Sequence, residues 1–384
     1  MNTEHGARGL TSPADWRITG LRRESSHGLG RMVADVAGAP IWYESPDAEL
    51  ELSPEAFASV MLLPALHQRA CVELDTPLDS HWLAGTSKLP AIFANWWGYP
   101  DTYPFKHPGP SRASQDRAVG SGACFTGGLD SFHTLFINGD RFDHMMFVQG
   151  FDIPLADRIR MESFEKSFRL VAATMGKRAL LLRTNLREHP LFTSVNWERT
   201  HGAALASGGM VLTPRIHSLL IPSSYRTTLL RPWGSHPATD PLWSTSRMSI
   251  LHDDTANGRE QKLRLIVDEP LVWKHLRVCW RNLSPTGNCS MCHKCVRAMV
   301  AIAAYGRAED FTVFNWTASL TTRLDALSPV PESLVAPWRN LLELDVAPDV
   351  RMALQRLLAR SESNKRWPLL RRMLRHARRL TGRG

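Results

Sequence analysis

Between Ser121 and Leu135 the sequence SGACFTGGLDSFHTL passes from a short apolar run (Ala123, Cys124, Phe125) through paired glycines into a helix-like segment. That succession predicts a strand that turns at Gly127-Gly128 and continues as a helix opening near Asp130 and Ser131. Paired glycines at such a turn let the backbone run close to a ligand with its N–H groups outward. The helix start adds partial positive charge, so the turn suits a phosphate group. A plain Gly-Gly turn with Asp130 as a helix cap is the simpler reading of the same residues. Two common phosphate loops are excluded. No lysine follows the glycines as in G-x-x-x-x-G-K-[ST], and after Gly120 and Gly122 a phenylalanine, Phe125, stands where G-x-G-x-x-G requires its third glycine.

Downstream, strand and helix patterns alternate. HMMFVQG (144–150) reads as a second strand, and 155–176 as a helix with apolar positions at Phe164, Phe168, Val171 and Ala172. RALLLRTN (178–185) is a third strand whose continuous apolar centre suits a parallel strand covered on both faces. A helix from Trp197 to about Leu205 and a fourth strand, HSLLIPSS (217–224), follow. Repeated βα units predict an α/β fold, an open doubly wound parallel sheet with ligands at the carboxyl ends of its strands.

Upstream, residues 1–35 show no clear period. PIWYES (40–45) reads as a strand, LELS (50–53) as its partner, and Ser53-Pro54 as a helix start. The helix runs to about His67, RACVELD gives another strand, and 78–97 is helical with interruptions at Gly85 and Pro90. GYPDTYPFKHPGPSR (98–112), with four prolines, reads as a linker. The expected domains are therefore an accessory α+β domain over 1–115, the βα domain over 116–310, and a helical, basic extension over 311–384. In that extension Pro331–Leu344 and Val350–Arg360 read as a helix pair, and Trp367–Leu380 as an apolar stripe on an arginine-rich helix.

Four of the six cysteines, Cys279, Cys289, Cys292 and Cys295, form C-x9-C-x2-C-x2-C. Clustered cysteines in an intracellular-type chain point to metal rather than disulfides. Four thiolates satisfy tetrahedral Zn2+ with no position left for water, so the expected site is structural. His293 lies inside the knuckle and is not needed as a ligand.

Hydrophobic residues make up 43% of the 384, enough for a sizeable core, and no apolar run is long enough to span a bilayer. The polar N-terminus lacks the apolar centre of a secretory signal, so the expected location is cytoplasmic. From Arg351 onward eleven Lys/Arg face one acid, Glu362; that +10 leaves −1 of the overall +9 for everything before it. The basic character belongs to the tail.

Thr126-Gly127-Gly128-Leu129-Asp130-Ser131 resembles the pyrophosphate-binding PP-loop, S-G-G-x-D-S, of the N-type ATP pyrophosphatases, with threonine in place of the first serine. The resemblance implies the adenine nucleotide alpha hydrolase-like fold. It also implies that Thr126, Gly127, Gly128, Leu129, Asp130 and Ser131 hold the β- and γ-phosphates of ATP with Mg2+. The backbone near Phe147 and Val148, on the second strand, would receive the adenine. A zinc knuckle after such a domain is similar to the arrangement in the 7-cyano-7-deazaguanine synthases, whose cysteine spacing is one residue shorter. Their helix before the cysteines begins with a K-x-E-I-like element; here Arg259 stands at the lysine and Gln261 at the glutamate. The likeness covers roughly residues 120–300.

By this resemblance the chain is an adenylating ligase or synthase, in which Thr126, Asp130, Ser131 and Arg259 act catalytically. It would convert ATP to AMP and pyrophosphate while activating a carboxylate or amide oxygen of a small-molecule substrate. Ammonia or a sulfur donor would then displace AMP. The long, aperiodic stretch 222–254 supplies substrate-pocket candidates, Ser223, Ser224, His236, Asp240, Trp243 and Ser244, each of which also fits a turn or cap. Cys124 reads as a buried free thiol, with a sulfur-carrying nucleophile as the sharper alternative. The rival reading is a nucleic-acid-binding or tRNA-modifying protein that uses the zinc knuckle and the basic C-terminal tail. The sequence leaves room for a homo-oligomer.

Overall fold

The computed structural model describes residues 15–26, 28–111, 117–253, 256–284 and 287–363. In chain order the strands are β1 (Asp15–Ser26), β2 (Leu29–Val36), β3 (Ala39–Glu44), β4 (Cys71–Leu74), β5 (Leu78–Asp79), β6 (Phe105–Lys106), β7 (Pro110–Ser111), β8 (Gly120–Cys124), β9 (His144–Gln149), β10 (Arg178–Thr184), β11 (Ile216–Ile221) and β12 (Ser249–His252). The helices are α1 (Pro54–Gln68), α2 (Ser80–Thr86), α3 (Leu89–Trp97), α4 (Leu129–Ile137), α5 (Arg158–Thr174), α6 (Pro190–Thr193), α7 (Trp197–Val211), α8 (Arg259–Ile266), α9 (Pro270–His275), α10 (His293–Ala304), α11 (Leu320–Ala326) and α12 (Glu332–Arg339); residues 348–363 are helical as well.

The described residues gather into two compact units. The first holds those up to Thr126 together with Asn138–Met161 and Phe168–Ala256; the second holds Gly127–Ile137, Glu162–Ser167 and those from Asn257 on. In the first unit ten strands form one sheet in the order β12-β11-β8-β9-β10-β3-β2-β1-β4-β6. Six of its nine pairings are parallel. β8 to β12 make the parallel block, and the winding direction reverses at β8: β9 and β10 build outward on one side, β11 and β12 on the other. β9 is buried at all six positions, as its uninterrupted apolar run requires of a strand flanked on both edges.

The sheet runs through the expected boundary at 115. β10 pairs antiparallel with β3 through Thr184 and Tyr43, so β1, β2, β3, β4 and β6 extend the same sheet. Residues 1–35, without visible period, contain β1 and β2. LELS is not a strand. Both edges of β3 are taken by β2 and β10, so 50–53 instead dips Leu50 into the core and donates the Glu51 N–H to Val211 O at 2.9 Å. The proline-rich linker reading also changes at two points, where Phe105 and Lys106 pair with β4 at the sheet edge and Pro110 and Ser111 pair with β5 in a separate two-stranded sheet.

Ser53 caps α1 through Ala56 N at 3.3 Å, and α1 packs against α7 beneath the sheet with nearly every residue buried. Gly85 does not break the helical stretch before residue 97; the interruption falls at Ser87-Lys88. No helix among the described residues is long and apolar enough to cross a membrane. The Trp367–Leu380 stripe and most of the basic tail lie outside the described residues.

Candidate functional site

β8 ends at Cys124, and Phe125 continues its hydrogen bonding by donating to Met146 O at 2.8 Å. Gly127 then takes φ +71°, a conformation that L side chains rarely adopt. A Cβ there would meet the Phe164 ring and the His275 carbonyl at 3.4 and 3.5 Å, ordinary contact, so the positive φ rather than lack of space calls for glycine. Gly127 O accepts from Arg277 N at 2.7 Å, and α4 starts two residues later with Phe132 N donating to Gly128 O at 3.0 Å. The Ser131 hydroxyl donates to Gly128 O at 2.9 Å. The expected strand, glycine turn and helix are therefore all present in sequence order.

Asp130, in the first turn of α4, meets two cations from α8. Arg259 Nη2 donates to its Oδ2 at 3.0 Å and Lys262 Nζ to its Oδ1 at 3.4 Å. The Lys262 side chain is only 2% exposed and that of Asp130 18%. Burial alone would raise the Asp130 carboxyl, but Arg259, and then Lys262, hold it below its ordinary value. Arg259 was among the expected site residues, for an α-phosphate rather than for Asp130; Lys262 was not, although a separation of three on one helix puts both on one face. Gln261, which stands where the similar synthases carry glutamate, spends its Oε1 on the helix start by accepting from Gly258 N at 3.0 Å.

The second unit also brings the four expected cysteines together. The sulfurs of Cys279, Cys289, Cys292 and Cys295 all lie within 4.8 Å of one another. Cys289 Sγ and Cys295 Sγ are 3.8 Å apart, which matches the edge of about 3.8 Å for a tetrahedron with metal–sulfur bonds of roughly 2.3 Å. Local sequence builds this cage. Asn288 Oδ1 accepts from Val278 N and Cys279 N at 2.9 and 3.1 Å, which returns the first ligand to the knuckle. Ser290 adopts φ +58° between the cysteines, held by its hydroxyl accepting from Asn315 N. Cys292 is the N-cap residue of α10 and Cys295 sits in its first turn. Hydrogen bonds from Cys292 and Cys295 drive the Cys279 thiol down, while the bond to Cys279 pushes Cys292 up to about 11 and Cys295 further up. Four sulfurs at this spacing, deprotonated as they bind, suit a divalent cation such as zinc. His293 faces elsewhere, bonded to Ser328 Oγ at 3.1 Å and edge-on to Trp338.

In the first unit, the candidates from 222–254 are largely committed to their own loop. Asp240 is fully buried and accepts from Ser235 Oγ at 2.6 Å, His236 N at 3.1 Å and His252 Nδ1 at 2.7 Å. Ser223 Oγ donates to Tyr225 O at 2.8 Å, and Ser244 Oγ accepts from Ile250 N at 3.0 Å. Trp243 is fully buried, with its Nε1 unpartnered among the described residues. His236 is half-buried and edge-on to Trp96 at 4.8 Å, and burial keeps its pKa below the ordinary value. Ser224 is half-exposed. The structure thus joins His236 and Asp240, with His252 and Ser235, and leaves Ser223 and Ser244 as turn residues. It also adds β12 inside a stretch that looked aperiodic.

Phe147 and Val148 are buried ladder residues of β9, paired with Leu181 and Leu182 of β10. Cys124 is buried, and that burial, with Asp240 second, raises its thiol well above the usual range, which suits a core residue rather than a nucleophile.

No family model matches the sequence, and neither a curated protein nor a solved structure matches the chain.

Proposed function

We propose that the chain is an ATP-dependent adenylating enzyme of the PP-loop type, a ligase or synthase similar to the 7-cyano-7-deazaguanine synthases. The observation that carries this reading is the Gly127 turn between β8 and α4, with Asp130 gripped by Arg259 and Lys262. Added support comes from the strand order of the parallel block, which reverses at β8 as in doubly wound nucleotide-binding sheets.

In this account the backbone N–H groups after Gly127 and the hydroxyls of Thr126 and Ser131 hold the β- and γ-phosphates. Bound with the nucleotide, Mg2+ would neutralise polyphosphate charge. A carboxylate or amide oxygen of the substrate attacks the α-phosphorus; the bond to the β-phosphate oxygen breaks, and pyrophosphate leaves with the electron pair. Arg259, already at the turn, stabilises charge on the departing group. Ammonia or a sulfur nucleophile then attacks the activated carbon and expels AMP. Structural Zn2+ on the four cysteines would hold the second unit together without taking part in the reaction.

Mass spectrometry of a reaction containing the protein, ATP and a metabolite extract tests this proposal. The expected result is AMP formation together with a product absent from the Ser131→Ala reaction. Absence of AMP, or its equal appearance with Ser131→Ala, would overturn it.

A further inference from the structure

Around the first turn of α7 the first unit carries a feature that the ATP reading does not use. Three guanidiniums sit over aromatic rings. Arg187 covers Trp197 at 4.7 Å, Arg199 covers Trp97 and Tyr99 at 5.3 and 5.5 Å, and Arg231 covers both Tyr225 and Trp233 at 4.8 Å. Each also donates to an uncharged oxygen. Arg187 donates to Phe151 O at 2.6 Å, Arg199 to Tyr99 OH at 2.7 Å, and Arg231 to Tyr225 OH.

Two of the three pairs adjoin, while Arg199, two residues from Trp197 on α7, reaches Trp97 and Tyr99 on another side of the helix. His201 on α7 bridges the Arg187 and Arg231 pairs, 5.9 Å from the Trp197 ring and 5.7 Å from that of Trp233. The loop carrying Arg231 and Trp233 is locked against the helix: Gly234 N donates to Glu198 O at 2.8 Å, and a Cβ on Gly202 would collide with the Gly234 carbonyl. Trp97, Trp197, Tyr225 and Trp233 are each half-exposed, and Arg187 is exposed.

Among the described residues no carboxylate lies within ion-pair distance of Arg187, Arg199 or Arg231. Glu198, on the same turn, pairs with none of them. An arginine stacked on a ring and unpaired with acid presents a flat cationic platform on which an unstacked base can lie, while its edge N–H groups meet phosphate. A duplex keeps its bases stacked inside and offers no such face, whereas a single strand offers both faces and charge. The carboxyl ends of β9, β10 and β11 lead into Phe151, Arg187 and Tyr225, so the platforms stand at the edge of the sheet where open α/β folds place ligands.

We infer that this arginine–aromatic surface binds single-stranded nucleic acid. It is separate from the basic tail and asks nothing of the glycine turn, so its binding requires no ATP.

Fluorescence anisotropy of labelled single-stranded RNA and DNA oligonucleotides with the full-length protein, without ATP, tests the inference. At about 0.3 M salt, where contacts made by charge alone weaken steeply, Trp233→Ala and Arg231→Ala are each expected to weaken binding roughly tenfold. Trp233→Phe, which keeps a ring, should restore most of the affinity, and Arg231→Lys, which keeps only the charge, should not. Thermal melting separates loss of the surface from loss of the fold. Replacing Arg371, Arg372, Arg375, Arg378 and Arg379 by alanine should flatten the salt dependence and leave the Trp233 effect in place. The inference is overturned if no oligonucleotide binds, if duplex binds as well as single strand, or if Trp233→Ala binds like wild type while the tail variant does not.

Discussion

At Asp130 a carboxylate is gripped by Arg259 and Lys262, cations that arrive from a helix some 129 residues further along the chain. Asp240 is also a carboxylate at a turn, yet its donors, Ser235, His236 and His252, lie within twelve residues of it. The first carboxylate is partly exposed and the second fully buried. Charges gathered from afar around a partly exposed carboxylate beside a glycine turn are what the proposed phosphate site would require. Local donors around a sealed carboxylate fold a loop. Polar richness in a sequence therefore marks two different outcomes, and the distance travelled by the partners tells them apart.

The largest expected effect comes from the metal cage, because α10 carries Cys295 and also anchors α8, through Tyr305 OH donating to Glu260 O at 3.0 Å. Chelation, or Cys292→Ser, should release bound zinc. It should also lower the melting temperature by ~10 °C or more, given the ~10 kcal/mol scale of structural zinc sites. Metal analysis and calorimetry check this; a chain that holds no zinc yet melts at the same temperature would break the link between the cage and the Asp130 grip.

Asp130→Ala leaves Lys262 buried without its carboxylate, which should cost about 3 kcal/mol in denaturant unfolding. Because Asp130 titrates below its ordinary value in the folded chain, its grip stabilises fully above the unfolded pKa. That contribution fades as pH falls through the lower folded value, and acid-unfolding curves of wild type and Asp130→Ala should converge there. Asp240→Asn keeps the shape but turns one acceptor into a donor, so we expect about 2 kcal/mol of destabilisation with ATP turnover intact. Turnover lost in a folded Asp240→Asn would erase the contrast between the two aspartates. Smallest is Ser223→Ala, which removes one bond to Tyr225 O and should cost about 1 kcal/mol with no change in turnover.

Where a signal was local, the sequence carried it. β8, the Gly127 turn and α4 follow from one continuous stretch, and C-x9-C-x2-C-x2-C places four ligands through short spacings that a loop can close. Lys262 was hidden because its role depends on how α8 lands against Asp130. The sheet's extension through β3 was hidden because Tyr43–Thr184 pairing joins strands that periodicity treats separately. LELS misled because a four-residue alternation also describes a loop that buries one leucine. The arginine–aromatic surface combines residues from 187 to 233, and no short window of sequence contains it.

The glycine turn can be tested most directly by ³¹P NMR of ATP incubated with the protein and a metabolite extract. AMP and pyrophosphate are expected to appear in equal amounts with wild type and with Asp240→Asn, and to be absent with Asp130→Ala. Release of ADP and orthophosphate, or unchanged conversion by a folded Asp130→Ala, would contradict the account.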